Sequence, residues 1–218
     1  MKKIVIFDLD GTLVDSIYDL ADCVNLALRK WNLRENTLEE YYSFVGNGME
    51  SLIRSSMKHR GGDDALYKKV RADFDLLYKE HCNDKTVPYD GVAELLEALN
   101  FQGIKTAVLT NKAEEFVEGI LKKCFPHHNF SVAWGNKEGR KRKPDPEALL
   151  SLVKESGFNI SDCVYVGDSE VDVKTARNAS MDLVCVLWGF RSREQLIESG
   201  AELMVSDSKE LYDALISM

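Results

Sequence analysis

Two carboxylates one residue apart, Asp8 and Asp10, close an apolar run and lead into Gly11-Thr12. The run, Ile4-Val5-Ile6-Phe7, has the continuous β-branched and aromatic character of a strand buried on both faces. A core has no use for two acids at that point, whereas the carboxyl end of a parallel strand is where open α/β sheets bind ligands. Two later apolar runs end the same way. Lys105 to Leu109 runs into Thr110-Asn111, and Cys163 to Val166 runs into Gly167-Asp168-Ser169, with Asp172 four residues beyond Asp168. Lys143 stands in a loop just before Pro144-Asp145-Pro146. In a parallel sheet these ends share one rim, so side chains far apart in sequence can meet there. Crowded carboxylates repel unless a cation sits among them, and all-oxygen donors favour a hard divalent ion, Mg²⁺ before Ca²⁺. A Lys, a Thr hydroxyl and backbone N–H groups beside that ion suit a doubly charged phosphate. One Asp could attack phosphorus while its neighbour two residues on passes a proton.

The elements that must hold these residues follow from periodicity. Ile17 to Trp31 has helical spacing, with Asp15 or Ser16 as N-cap. Thr37 to Phe44, the stripe Met49, Leu52, Ile53 and Met57, and the stripe Leu66, Val70, Phe74 and Leu77 predict three more helices, the last ending near His81. Breaks fall at Val45-Gly46-Asn47-Gly48 and at Gly61-Gly62. Residues 17–84 therefore read as an all-α insert directly after the first strand. Beyond Pro88 strands and helices alternate to the end, which predicts a Rossmann-like α/β core with a parallel sheet and helices on both faces. The expected division is a core of residues 1–16 and 85–218 and a helical cap of residues 17–84.

The net charge of −8 argues against a general binder of nucleic acid or anionic membrane. Only four apolar residues separate Met1-Lys2-Lys3 from Asp8, which leaves no signal peptide, and no run approaches the length of a membrane span. Cys23, Cys82, Cys124, Cys163 and Cys185 are odd in number without a Cys-x-x-Cys, so no disulfide framework is expected. A cytoplasmic protein is expected.

The residues quoted above resemble the haloacid dehalogenase-like hydrolase superfamily. Its four motifs appear in order as Asp8-Leu9-Asp10-Gly11-Thr12, Thr110-Asn111, Lys143-Pro144-Asp145-Pro146 and Gly167-Asp168-Ser169-x-x-Asp172. The resemblance implies an aspartyl-phosphate on Asp8, a general acid/base in Asp10, and a phosphate held by Gly11, Thr110, Asn111 and Lys143, with Lys143 also offsetting Asp8. It implies Mg²⁺ bound by the Asp8 and Asp168 side chains and the Asp10 carbonyl, with Asp172 completing or orienting that shell. The helical insert is similar to the family's cap. Val45-Gly46-Asn47-Gly48, Thr110-Asn111-Lys112 and Trp188-Gly189-Phe190 are similar to its phosphoglycolate phosphatase-like branch. The expected partner is a small phosphorylated metabolite, with the chain a monomer or homodimer. The helix after the fourth motif departs from the family, ending in Ala179-Ser180-Met181 rather than Ala-Gly.

Other readings stand beside these. A phosphosugar mutase would use the same aspartyl-phosphate, and a phosphate-binding module would bind without turnover. A dehalogenase fits less well because Asp10 is present. Gly46 and Asn47 either face the substrate or form a helix-breaking turn. Arg140-Lys141-Arg142 reads as a solvated loop, Trp188 and Phe190 as cleft lining or packing, and the stripe from Met49 to Met57 as core. Cys124 with His127-His128 is poor evidence for zinc.

Overall fold

The computed structural model describes residues 2–58 and 63–218, so the break expected at Gly61-Gly62 lies outside the described residues. Strand β1 (Ile4–Phe7) is followed by β2 (Val14–Asp15) and then by four helices, α1 (Ile17–Lys30), α2 (Leu38–Phe44), α3 (Gly48–Met57) and α4 (Asp64–His81). After β3 (Val87–Pro88) come α5 (Val92–Phe101), β4 (Lys105–Ala113), α6 (Glu114–Cys124), β5 (Val132–Asn136) and α7 (Glu147–Glu155). The chain closes with β6 (Cys163–Gly167), α8 (Glu170–Asn178), β7 (Asp182–Val186), α9 (Arg193–Ser199), β8 (Met204–Val205) and α10 (Ser208–Ser217).

Six of the strands form one parallel sheet in the order β5-β4-β1-β6-β7-β8. Strand β1 lies at the centre because all four of its side chains are apolar and can be buried on both faces. Its period of two divides them. Val5 and Phe7 join the core that includes α5, α6 and α10, whereas Ile4 and Ile6 join the one that includes α7 and the end of α8. The chain builds outward from β1 through β4 to β5, then returns to lay β6, β7 and β8 on the other side. The strand order thus reverses at β1, and the crevice beyond its carboxyl end is the place such a sheet offers a ligand.

Two features were not foreseen from the sequence. Strands β2 and β3 pair antiparallel, Val14 with Pro88 and Asp15 with Val87, tying together the two chain segments that flank the helical insert. Two-residue strands carry no readable period. Buried Asp19 on α1 reinforces this neck by accepting from the Lys85 and Thr86 N–H groups and from Thr86 Oγ1 at 2.6 Å. Strand β4 also runs four residues past Leu109, with a register irregularity against β5 between Leu109 and Ala113. Thr110 and Asn111 occupy that irregular stretch rather than a loop beyond it.

Local chemistry explains the helix boundaries. Thr37 and Glu40 form a capping box on α2, Asp63 caps α4, and Ser169 with Asp172 caps α8. Helix α1 begins with Ser16 at the N-cap position, but its hydroxyl bonds Asp10 instead, and Asp15 accepts from the Ile17 N–H. No helix among the described residues is long and apolar enough to cross a membrane.

Candidate active site

The four sequence segments meet at the rim of β1, β4 and β6. Lys143 Nζ lies 3.0 Å from Asp8 Oδ1 and 2.7 Å from Asp172 Oδ1, and it donates to the Tyr165 hydroxyl at 2.9 Å. Carboxylate oxygens of Asp8, Asp168 and Asp172 fall within 4.8 Å of one another, and all three residues are buried. Burial lifts the Asp8 carboxyl to about 7; the Lys143 ammonium pulls it down and Asp172 adds to the rise. Asp168 is pushed well above the usual carboxylate range by burial, with Asp172 and Asp8 adding to it. Burial works against a charge on Lys143, yet Asp172 and Asp8 hold its pKa well above the ordinary value. Were all three buried carboxylates ionised, one ammonium would leave an excess of negative charge, which together with burial keeps Asp8 and Asp168 raised. Oxygen-only donors at this spacing fit a small divalent cation.

Each carboxylate is aimed by its own bonds. Asp8 Oδ1 accepts from the Leu9 N–H at 2.7 Å. Asp168 accepts from Thr12 Oγ1 at 3.1 Å and from the Phe190 N–H at 2.8 Å. Asp172 is the most heavily bonded. Its Oδ2 takes the Asp168 and Ser169 N–H groups and the Ser169 hydroxyl, while Oδ1 faces Lys143 and Tyr165. That pattern suits Asp172 to hold Lys143 and the Asp168 turn in place, at the edge of the three-carboxylate cluster.

Glycine is required where these loops close. Gly11 has φ +86°, and a Cβ there would overlap the Asp168 carboxylate. A Cβ on Gly189 would meet both Asp168 and the Gly11 carbonyl. Gly11→Ala is expected to lower the stability of the fold by about 1–3 kcal/mol. Urea unfolding measures this, and an unchanged midpoint would contradict it.

The Asn111 side chain is bonded within the protein. Its Oδ1 accepts from the Lys143 N–H at 2.9 Å, and its Nδ2 donates to the Lys143 carbonyl at 3.0 Å and the Gly46 carbonyl at 3.1 Å. With the amide so committed, Asn111 can offer an incoming anion only backbone, and its side chain fixes the Lys143 loop. Thr110 Oγ1 accepts from the Lys112 N–H at 3.2 Å.

Lys112 is a site residue to which sequence reasoning gave no role. Its buried Nζ donates to Asp10 Oδ1 at 2.9 Å and to the Tyr78 hydroxyl at 2.5 Å, linking the second Asp to helix α4 of the insert. Burial opposes its charge, but Asp10 and Tyr78 outweigh this and raise its pKa. Ser16 Oγ binds the same Asp10 oxygen at 2.5 Å. The available signal was a lysine directly after two polar residues at a strand end.

A cleft with about 440 Å³ of empty space, part of it open to solvent, joins sheet rim and insert. Asp8, Asp10, Thr110, Asn111 and Lys112 line its floor; Leu20, Val45, Gly46, Gly48, Met49 and Leu52 line its wall. Gly46 is therefore in the wall and Asn47 is not. Met49 and Leu52, expected as core, also face the cleft. Trp188 and Phe190 are packing residues: the indole N–H donates to the Thr12 carbonyl, and the Phe190 ring meets Tyr42 edge-on. In the basic loop Lys141 and Arg142 are exposed, as expected of a solvated loop, whereas Arg140 is drawn in, lying over the Trp134 ring and pairing with Glu114. Ring nitrogen Nε2 of His128 is bonded to Thr106 Oγ1, not to Cys124.

A parallel α/β sheet with a lysine and carboxylates at the carboxyl ends of its strands, and insert residues lining the cleft above them, places a ligand site at the sheet's switch point. The chain belongs to the haloacid dehalogenase-like hydrolase family, whose profile matches residues 5–186. It is 33% identical to phosphoglycolate phosphatase of Pseudomonas syringae pv. syringae, over 100% of this chain and 81% of that one. It is 32% identical to phosphoglycolate phosphatase of Aliivibrio fischeri, over 99% and 97% of the two chains. A crystal structure from Lactobacillus delbrueckii subsp. bulgaricus, provisionally designated a phosphoglycolate phosphatase, superposes with a TM-score of 0.90 at 34% identity and covers 99% of both chains.

Proposed function

We propose that the protein hydrolyses small phosphomonoesters, phosphoglycolate foremost, through an aspartyl-phosphate on Asp8 with Mg²⁺ as cofactor. The observation that carries this reading is the placement of Lys143 between Asp8 and Asp172, with Asp168 within reach of both. Asp8, Asp168 and the Asp10 carbonyl would hold the ion, which would screen the charge between the nucleophile and the phosphoryl oxygens. Asp8 would attack phosphorus while Lys143 and Thr110 hold the non-bridging oxygens. Asp10, held by Ser16 and Lys112, would protonate the leaving oxygen and later accept a proton from the attacking water. Residues 17–84 would act as the cap on a core of residues 1–16 and 85–218, its wall from Val45 to Leu52 limiting substrate size. The Lys112 ammonium on the cleft floor suits a substrate with a second negative group. The names of the curated relatives support phosphoglycolate as that substrate. Five free thiols suit a reducing compartment and so a cytoplasmic setting.

The test is phosphate release from a panel of small phosphomonoesters. Turnover should be highest on two- and three-carbon acids, vanish with chelator and return with Mg²⁺. Full-rate turnover in chelator would refute the metal assignment, and a preference for phosphosugars without phosphate release would refute hydrolysis.

A further inference from the structure

One buried arginine joins the core to the wall of the cleft. Arg191 follows β7, and its side chain is 6% exposed. On the core side its Nε binds Glu170 Oε2 at 2.7 Å. On the other side Nη1 donates to the Tyr42 carbonyl and Nη2 to the Val45 carbonyl at 2.7 Å. Tyr42 belongs to the last turn of α2 and Val45 follows it, so these are carbonyls that a helix end leaves without partners. The next carbonyl, Gly46, is taken by Asn111. Two core side chains thus grip three nearby carbonyls of the segment that forms the cleft wall.

Both gripping residues are also bonded into the floor. Asn111 bonds both backbone groups of Lys143. Arg191 sits one residue beyond Phe190, whose N–H binds Asp168, and its anchor Glu170 lies two residues after Asp168. We infer that Arg191 is a positioning residue, a reversible clasp that seats the Val45–Leu52 wall over the nucleophile. The inference rests on the proposed phosphatase reading and adds to it the residue that closes the site.

The bonds on the wall side are ones that opening can break and closure can remake. When the wall lifts, the Tyr42 and Val45 carbonyls can turn to water, which replaces part of the charge-assisted bonding they lose. The Glu170 pair lies wholly on the core side and keeps the guanidinium aimed for the next closure. At the other end of the insert Asp19 binds the Lys85-Thr86 backbone at the neck, so the grip and the neck are separate.

The experiment compares wild type, Arg191→Ala, Arg191→Lys and Glu170→Gln, full length, by amide hydrogen exchange and by steady-state kinetics. In Arg191→Ala the amides of residues 42–49 should exchange about tenfold faster or more, while β1 and β6 keep wild-type protection. KM for a two-carbon, carboxylate-bearing phosphomonoester should rise about tenfold with kcat within about threefold of wild type, the mark of lost positioning rather than lost chemistry. p-Nitrophenyl phosphate, too bulky to profit from a seated wall, should lose less. Arg191→Lys, able to reach one carbonyl, should fall between. If Arg191→Ala loosens the core strands as well, Glu170→Gln, which frees the anchor and keeps the volume, carries the same readouts. Exchange at 42–49 within twofold of wild type in both variants would overturn the clasp, as would equal losses on both esters. A wild type that hydrolyses no phosphomonoester would sink the phosphatase reading, and the exchange data would still judge the clasp.

Discussion

Asp8→Asn is expected to reduce turnover by a factor on the order of 10⁴ or more while stabilising the cation-free protein. The first effect follows from removing the oxygen that attacks phosphorus, since an amide is a poor nucleophile and its phosphoryl adduct has no path forward. The second follows from burial. The Asp8 carboxyl titrates near 7 in the fold against 3.8 when free, because burial outweighs the nearby Lys143 ammonium. The folded state therefore binds more protons than the unfolded one across that window, so this group makes stability fall as pH rises from about 4 to about 7. Asparagine carries no such charge. The melting-temperature gain of the variant should be largest above pH 7 and shrink towards pH 4, read by thermal denaturation in chelator. A variant no more stable than wild type at pH 8 would contradict the charge excess, and residual activity near wild type would remove Asp8 from the chemistry.

Lys143→Ala should do the opposite to stability. It strips the ammonium from between Asp8 and Asp172, both buried, and leaves the Tyr165 hydroxyl without its donor. Breaking a buried pair from one side costs about 3–5 kcal/mol. For a chain of this size that is a fall of roughly 6–20 °C in Tm. Activity should drop at least about a thousandfold, since a phosphate would then meet the carboxylates without a fixed positive charge. Calorimetry and phosphate release measure the two effects. A small loss of activity with intact stability would move Lys143 out of the centre of the site.

Much of this arrangement was legible because it rests on short-range patterns. Continuous apolar runs ending in acids marked β1 and β6, and helical spacing marked the insert to within a few residues. The parallel topology then required the acids to share a rim. What stayed hidden depends on partners with no sequence period. The amide of Asn111 is spent on a backbone 32 residues away and on Gly46. Lys112 and Arg191 look like surface residues in a string of letters, and both are buried because distant carboxylates and carbonyls receive them. Arg140 was misread for the same reason, since Trp134 and Glu114 draw it out of solvent. The β2–β3 pair was missed because its strands are shorter than any pattern.

In the proposed mechanism Asp8 takes up the phosphoryl group at a rim where Lys143, Asp168 and Asp172 converge. The most direct measurement mixes enzyme, Mg²⁺ and a turning-over phosphomonoester, quenches in acid within the first turnovers and reduces the denatured protein with borohydride. An acyl phosphate on Asp8 would be reduced to homoserine, and peptide mapping by mass should find that change at position 8 and nowhere else. Unmodified Asp8 under conditions of active turnover, or the change at another carboxylate, would contradict the account.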